Sequence, residues 1–309
     1  MKRTLTLVLA LAAGLIAATQ ASAAPATTPA GSPLSFKDER GTTITLPAKA
    51  ARIVSLSPEL TEILYAAGAG DRVVGNTTYC NYPAAALSVA KIGGFSANTI
   101  SIEAIVALRP DLIVGSLSAH GRLAAQFERA GLRFAALPAT DFNAVYSTME
   151  LVGRIAGSEA TASTLVASMK SRLASIQAKT ASVPADRRPL VFWETWDEPL
   201  MSAGPNTFTG QIIVAAGGRN CFADSTADWP VVSFESVLAR NPDYIMAADS
   251  HGEALTPERL ARRTGWTSLK AVQAGRVVFL DGDIVSRAGP RFVDAAELMA
   301  KVLYPELFR

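Results

Sequence analysis

The sequence contains few of the residues that build metal centres or disulfide frameworks. Its 309 residues include two cysteines, Cys80 and Cys221, and two histidines, His120 and His251. Two cysteines cannot form a dense disulfide framework, and it stays open whether they pair or remain free thiols. A dedicated zinc or manganese site usually needs several imidazoles, so no metal site is predicted. Both histidines are expected in surface loops.

Motifs of the common enzyme classes are also missing. The sequence has no G-x-G-x-x-G, G-x-x-x-x-G-K-[ST], H-E-x-x-H or G-x-S-x-G. The segment 88–91 reads SVAK and matches S-x-x-K, but neither S-D-N nor K-T-G accompanies it. We therefore predict no catalytic residue and no catalytic cofactor, and an exported hydrolase or oxidoreductase is the least favoured function.

Strong charge and long apolar runs are absent from most of the chain. The formal net charge is +2, and two positive charges belong to Lys2 and Arg3. The remainder is near neutral and has no basic stripe, so nucleic acid is not a predicted partner. After residue 23, no apolar run is long enough to span a bilayer.

The N-terminus has the pattern of an export signal. Residues 1–23 combine Lys2 and Arg3, a short apolar run and the small residues Ala-Ser-Ala, which predicts a signal peptide cleaved near Ala23. A transmembrane anchor is the alternative interpretation. Residues 24–35 read as a disordered leader. The mature protein is expected to be exported to the periplasm and soluble.

The rest of the chain alternates strand and helix patterns in two halves. Residues 36–140 predict an N-terminal α/β lobe, residues 141–182 a helical segment, and residues 183–309 a C-terminal α/β lobe. The helical pattern runs unbroken from Ser158 to about Ala181. The predicted fold is therefore two Rossmann-like lobes with mostly parallel sheets, joined by one long rigid α-helix, with a ligand cleft between the lobes.

One stretch occurs twice, once in each half. SIEAIVALRPDLIVG begins at Ser101 and SFESVLARNPDYIMA begins at Ser233, with six identities in fifteen positions. Both predict a helix followed by a strand, and both place a glutamate, Glu103 or Glu235, in the first helical turn. A carboxylate there is favoured by the helix dipole, which is one explanation of the repetition.

Large side chains collect in the predicted loops that follow strands. A place in the hydrophobic core would explain any one of these side chains, but several of them together in loops favour an open cleft with flat walls. These side chains are Tyr79, Phe95, Trp196, Met201 and Trp229. Asp283 and Arg287 stand four residues apart at a helix entry, where they could contact a polar ligand or each other.

Six segments carry a resemblance to a known family. They read RIVSLSPELTEILYAAGAGDRVVG, YCNYP, IGGF, SIEAIVALRPDLIVG, DWPVVSFESVLARNPD and SRAGPR. They resemble the substrate-binding proteins with a single long interdomain helix, which serve ABC importers of cobalamin, haem and ferric siderophores. Within this family they are most similar to the periplasmic cobalamin-binding members. The resemblance covers roughly Arg52 to Leu307.

The resemblance implies roles for the residues singled out above. It implies that a corrinoid such as cobalamin is the transported ligand, held by Tyr79, Phe95, Trp196, Met201, Trp229, Asp283 and Arg287. It also implies that Glu103 and Glu235 dock one on each side of a membrane ABC permease dimer. Phe95 stands where cobalamin-binding relatives have Trp, and Met201 stands near a family aromatic. The protein is expected to act as a monomer.

The family also contains carriers of other ligands. Haem-binding members place a Tyr where this sequence has Phe95, and phenylalanine cannot ligate iron. Siderophore carriers often use several arginines, whereas this cleft offers Arg287 alone. A haem or ferric-siderophore carrier therefore remains the alternative within the family.

Overall fold

The computed structural model describes residues 33–249 and 256–309. The predicted signal peptide, most of the predicted leader, and His251 lie outside the described residues. The strands are β1 (Leu34–Lys37), β2 (Thr43–Leu46), β3 (Ile53–Ser55), β4 (Val73–Asn76), β5 (Ala90–Lys91), β6 (Leu112–Gly115), β7 (Phe134–Ala136), β8 (Leu190–Asp197), β9 (Leu200–Ser202), β10 (Arg219–Asn220), β11 (Tyr244–Ala248) and β12 (Val277–Leu280).

Helices alternate with these strands along most of the chain. They are α1 (Pro58–Ala66), α2 (Ile102–Ala107), α3 (Leu117–His120), α4 (Ala124–Arg129), α5 (Phe142–Ala156), α6 (Glu159–Thr180), α7 (Phe208–Ala215), α8 (Phe234–Arg240), α9 (Pro257–Arg262), α10 (Lys270–Gln273), α11 (Gly282–Val285) and α12 (Phe292–Leu303). Across residues 33–249 and 256–309, no helix is both long enough and apolar enough to cross a membrane.

Each half of the chain builds one open sheet of parallel strands. The N-terminal sheet has the order β5-β4-β3-β6-β7, and every neighbouring pair is parallel. The C-terminal sheet has the order β10-β8-β11-β12, also parallel, with β9 added antiparallel to β8. Four strands thus have the same order in both lobes, which confirms the predicted α/β fold of two similar lobes.

The long helix α6 begins against one lobe and ends against the other. The Ser158 hydroxyl, at its N-terminus, donates to the Ala67 carbonyl at 2.6 Å, beside the left-handed turn at Gly68. At its C-terminus, Thr180 packs against Gly217, where an added Cβ would lie 2.5 Å from the Thr180 Cβ. Both glycines have positive φ, so a side chain there would strain the backbone and also collide with α6. The two Ala-Ala-Gly turns therefore hold the two ends of one helix.

The repeated stretches form the same local structure in both lobes. The hydroxyls of Ser101 and Ser233 each cap their helix, α2 or α8, by accepting a hydrogen bond from the backbone N–H three residues later. Beyond each helix a left-handed residue follows, Arg109 with φ 46° and Asn241 with φ 44°. The repeated serine is thus explained by capping, and both stretches turn at the same position although the residues there differ.

The repeated aspartates also have a shared structural role. The Asp111 carboxylate accepts the backbone N–H groups of Ala51 and Arg52 at 2.7 and 2.8 Å, just before β3. The Asp243 carboxylate accepts the N–H of Leu190 at 2.7 Å, at the start of β8. Each aspartate therefore fixes the beginning of the neighbouring parallel strand.

The two lobes share one hydrophobic core below the cleft. It joins α1, α5 and α6 to α7 and α12 without a polar layer between them. Phe142 of α5 stacks on Phe292 of α12, with ring centroids 4.1 Å apart, and Phe208 of α7 packs edge-on against both rings. The lobes are therefore in direct apolar contact in addition to the connection through α6.

Two details differ from the sequence-based expectations. Strand β1 begins at Leu34, inside the predicted leader, and pairs antiparallel with β2. Strand β8 continues through Trp196 and turns into β9, so Trp196 and Met201 lie in a hairpin instead of a loop. The alternation of apolar residues in FWETW and LMS spans few positions, and the Asp-Glu-Pro turn between them interrupts it. The sequence pattern therefore did not predict these two strands as a hairpin.

Both cysteines are buried free thiols. Cys80 accepts a hydrogen bond from the Thr61 hydroxyl and shares another with the Thr77 hydroxyl in the N-terminal lobe, while Cys221 lies in the C-terminal core. Burial raises the pKa of the Cys221 thiol to about 12. The alternative of a Cys80–Cys221 disulfide is therefore not realised.

Candidate ligand-binding cleft

The cleft wall of the N-terminal lobe is built from the carboxyl ends of its strands. The chain leaves β3 into Pro58 and Glu59, leaves β4 into Thr78 and Tyr79, and leaves β6 into Ser116, all of which line cavities between the lobes. Ligands of open α/β sheets bind at this edge, because the loops and helix starts there leave a crevice. The C-terminal lobe faces it with the segment that follows β12.

Two cavities adjoin within this cleft. The first has a volume of about 710 Å³ and is lined by Pro58, Glu59, Thr78, Tyr79, Gly94, Phe95, Ser96, Thr99, Ser286 and Arg287. The second has a volume of about 520 Å³ and is lined by Glu39, Glu59, Phe95, Ser116, Leu117, Ser118, Leu137, Ala139, Thr140, Ser286 and Ala288. We call them the outer and inner compartments. Glu59, Phe95 and Ser286 line both.

The aromatic walls of the outer compartment are open to solvent. Tyr79 keeps 60 % of its surface exposed and Phe95 keeps 39 %. Such large apolar side chains are usually covered when they have a purely structural role, so their exposure at a concave surface indicates a binding site. Among the predicted ligand contacts, Tyr79, Phe95 and Arg287 thus lie together.

His120 fixes the position of Phe95 from behind. Its Nδ1 accepts the backbone N–H of Ser116 at 3.1 Å, so Nε2 carries the hydrogen and donates it to the Phe95 carbonyl at 2.9 Å. The two rings also meet edge-on, with centroids 5.3 Å apart. His120 is fully buried, which corrects its expected surface position, and burial lowers its pKa.

A buried carboxylate joins the two lobes across the cleft. Glu62 of α1 accepts two hydrogen bonds from Arg291 at 2.7 and 2.8 Å and one from Arg287 at 3.0 Å. The Glu62 side chain is 1 % exposed, and both arginines come from the opposite lobe. The Arg291 guanidinium also covers the ring of Tyr82 at 4.2 Å. This ion-pair cluster closes one side of the cleft.

Asp283 and Arg287 belong to the edge of the same cluster. They form an ion pair at 2.6 Å, and each also bonds the side chain of Asn81 in the N-terminal lobe, at 2.7 Å in both cases. Spacing alone left a local ion pair and a polar ligand contact equally open for these residues. The ion pair exists, and Arg287 still lines the outer compartment.

Three other predicted ligand contacts of the C-terminal lobe, Trp196, Met201 and Trp229, form a separate group. Met201 of β9 pairs with Trp196 of β8 and bridges to Val231, two residues after Trp229. Trp196 and Trp229 are about half exposed, and Trp196 donates its indole N–H to the Glu198 carbonyl at 2.9 Å. None of the three lines either compartment, so the two cavities do not bring them together with Tyr79, Phe95 and Arg287.

Glu59 stands at the boundary between the two compartments. It is half-buried in the first turn of α1 and is not part of any ion pair between described residues. Burial raises the pKa of its carboxyl group, and the Ser57 hydroxyl partly counteracts this effect. In the described part of the chain, no group of three or more Cys, His, Asp or Glu side chains could hold a metal ion.

Glu103 and Glu235 lie away from the cleft, on exposed first turns of α2 and α8. The Ser101 hydroxyl donates to Glu103 at 3.2 Å. For Glu235, hydrogen bonds from its own backbone N–H and from Ser233 lower the pKa of the carboxyl group. Both glutamates are therefore surface carboxylates in equivalent settings.

Sequence reasoning missed Glu59, Glu62, Asn81 and His120. A signal for the first two existed, because two acidic residues stand among the apolar residues of a helix that follows a buried strand. The pairing of Glu62 with two arginines more than two hundred residues later could not be read from spacing. His120 carried no local signal, since its partners are backbone groups.

The chain is similar to known proteins over most of its length. The family model described as periplasmic binding protein matches residues 53–284. The uncharacterized ABC transporter substrate-binding lipoprotein YvrC of Bacillus subtilis is 34 % identical over 282 residues, which cover 90 % of this chain and 87 % of that protein.

Two solved structures are similar as well. The periplasmic vitamin B12 binding protein BtuF of Vibrio cholerae gives a TM-score of 0.69 at 27 % identity and covers 83 % of this chain and 98 % of its own. The periplasmic haem-binding protein RhuT of Roseiflexus gives 0.73 at 27 % identity, with 84 and 99 % covered. The chain therefore belongs to the periplasmic binding protein family, and it is an exported substrate-binding protein of the ABC-transporter type rather than an enzyme.

Proposed function

We propose that this protein captures cobalamin or a related corrinoid in the cleft and delivers it to an ABC permease. The observation that carries the proposal is the cleft itself, with about 710 and 520 Å³ in adjoining compartments and the exposed faces of Tyr79 and Phe95. A corrin is a large flat macrocycle with carboxamide side chains, and it needs aromatic walls with polar groups around them. Similarity to BtuF supports the same ligand class.

The rest of the proposal concerns where and with whom the protein acts. Residues 1–23 direct export to the periplasm and are removed by cleavage near Ala23. The mature protein acts as a monomer. Glu103 and Glu235 dock onto cationic groups of a two-fold permease, since each lobe presents one exposed carboxylate on an equivalent helix. A helix dipole favours a carboxylate at one helix start but gives no reason for glutamate in both lobes.

A haem carrier is the second candidate, and one observation favours it. RhuT is similar over nearly its whole length, and the Tyr79 hydroxyl lies at an exposed cleft wall where a phenolate could meet iron. Against it, carboxylates outnumber cations around the cleft: Glu39, Glu59, Glu62 and Asp283 face Arg287 and Arg291. Such a balance disfavours the propionates of haem and anionic ferric siderophores.

Absorbance spectroscopy tests the proposal directly. The purified protein is incubated separately with cyanocobalamin, cobinamide, haem and a ferric siderophore, then desalted. We expect a corrinoid spectrum to remain with the protein at one ligand per chain, and calorimetry to show saturable binding. Retention of haem or siderophore without retention of either corrinoid would contradict the corrinoid proposal and leave the family assignment intact.

A further inference from the structure

The two compartments of the cleft are lined by more carboxylates than cations. Arg287 is the one cation among the described residues that line the two compartments. Its guanidinium already bonds the carboxylates of Glu62 and Asp283, at 3.0 and 2.6 Å, and the Asn81 amide oxygen at 2.7 Å. Little of its charge or donor capacity is left for a ligand, because these acceptors already compensate it.

Glu59 is the carboxylate best placed to act on a ligand. It lines both compartments, whereas Glu39 lines only the inner one and Glu62 is enclosed by its two arginines. The inner compartment that it lines also has the apolar side chains of Phe95 and Leu117 in its wall, so the carboxylate lies in a partly apolar cavity. A ligand seated there would remove the water that now solvates it.

A carboxylate that loses water needs hydrogen-bond donors and repels other anions. Carboxamide groups offer two N–H donors and carry no charge, whereas carboxylate groups offer neither donor nor neutrality at neutral pH. We propose that Glu59 is a specificity-determining residue that selects ligands bearing carboxamides in the inner compartment and rejects those bearing carboxylates there. This inference rests on the proposed corrinoid function and names the chemistry that one side chain reads.

The test compares two corrinoids that differ in these groups. Dicyanocobinamide carries carboxamide side chains, and dicyanocobyrinic acid carries carboxylic acids in their place. Affinities are measured by calorimetry at about pH 8, where the carboxylic acids of the ligand are ionised. We expect the wild type to prefer the amide ligand, and Glu59→Gln to reduce this preference about tenfold, as expected for removal of one nearby like charge in a partly wet site.

Two further variants control the experiment. Glu59→Asp keeps the charge and should keep the preference, while Glu128→Gln makes the same chemical change at an exposed helix position away from the cleft and should leave it unchanged. If Glu59→Gln binds cobinamide and discriminates as strongly as the wild type, Glu59 does not set specificity and the inference is overturned, with the corrinoid function intact. If the wild type binds neither corrinoid, the proposed function itself fails.

Discussion

At the scale of single residues, the exposed aromatic side chains are expected to strengthen binding of the ligand. Tyr79→Ala and Trp229→Ala should each weaken corrinoid binding by about 1–3 kcal/mol, because each removes a large flat contact from the ligand. Calorimetry on folded variants measures this loss. Val214→Ala is the matched control, since Val214 is as exposed as Tyr79 but lies on α7 outside the cleft. Unchanged affinity in both aromatic variants would place the ligand elsewhere.

His120 should make stability depend on pH. Burial lowers its pKa in the folded protein, while in the unfolded chain it titrates near its ordinary value of about 6.5. The unfolded state therefore binds more protons as pH falls below that value, and the free energy of unfolding decreases until the folded pKa is reached. The loss approaches about 1.4 kcal/mol for each pH unit between the two pKa values.

Denaturant unfolding of the wild type and of His120→Gln from about pH 7.5 to about pH 5 measures this effect. The variant keeps His251 and every carboxyl group, so the difference between the two curves isolates His120. We expect the wild type to lose more stability than the variant across this range. Parallel curves would show that folding does not lower the pKa of His120.

At the scale of elements, the helices and parallel strands could be predicted, and the antiparallel additions could not. The 3.6-residue period of PELTEILYAAG and the continuous apolar run of DLIVG are strong signals. Helix α1 and strand β6 form at these segments, and α6 forms at the helical pattern that begins at Ser158. Strands β1 and β9 are short, exposed on one side and defined by their partners, so local sequence carries little of their signal.

The candidate site was predictable only where a motif or an unusual composition marked it. Tyr79 and Phe95 stood out as aromatics in loops, and Arg287 stood out beside Asp283. Glu62 was hidden because a buried glutamate is recognisable only when its arginine partners are known, and these come from the other lobe. Long-range pairing of this kind is a property of the fold and not of any window of sequence.

The repeated helices α2 and α8 each present the glutamate that is proposed to dock onto the permease. Reversing both charges, Glu103→Lys with Glu235→Lys, should abolish corrinoid uptake and leave ligand affinity unchanged, because neither side chain lines the cleft. Single reversals should do less, since one lobe can still engage. Complex formation with the permease in detergent should weaken as ionic strength rises.

Each reversal also opposes a helix dipole, so a loss of stability accompanies the change in charge. Glu258→Lys is the matched control, because Glu258 is an exposed first-turn glutamate of α9 and is not part of the repeat. Melting curves of all variants separate lost stability from lost docking. If the folded double variant supports uptake at the wild-type rate, the repeated glutamates are helix-start residues and nothing more.

At the scale of the whole molecule, the lobes should move little on ligand binding. Helix α6 is fixed at both ends by the Gly68 and Gly217 turns, and Phe142 of α5 stacks on Phe292 of α12 below the cleft. Bending this assembly would break apolar packing as well as a helix. Small-angle X-ray scattering with and without cyanocobalamin should give nearly equal radii of gyration, and a large decrease on binding would contradict a rigid connection.

The ion-pair cluster between the lobes should contribute strongly to stability. Glu62→Gln leaves two partly buried guanidinium groups without their shared buried carboxylate, and we expect a loss of about 3–5 kcal/mol in the free energy of unfolding. Glu297→Gln changes an exposed partner of Arg172 between α6 and α12 and should cost at most about 1 kcal/mol. Equal costs in denaturant titrations would show that the cluster is solvated and weak.

The apolar cluster around Phe142, Phe208 and Phe292 has a consequence for the evolution and engineering of this chain. Although the two sheets look like separate modules, we expect that neither folds on its own, because each uses side chains of the other to cover its inner helices. A lobe produced alone would present those rings to water and aggregate. Exchange of whole lobes between relatives therefore requires the matching halves of this shared core to be transferred together with them.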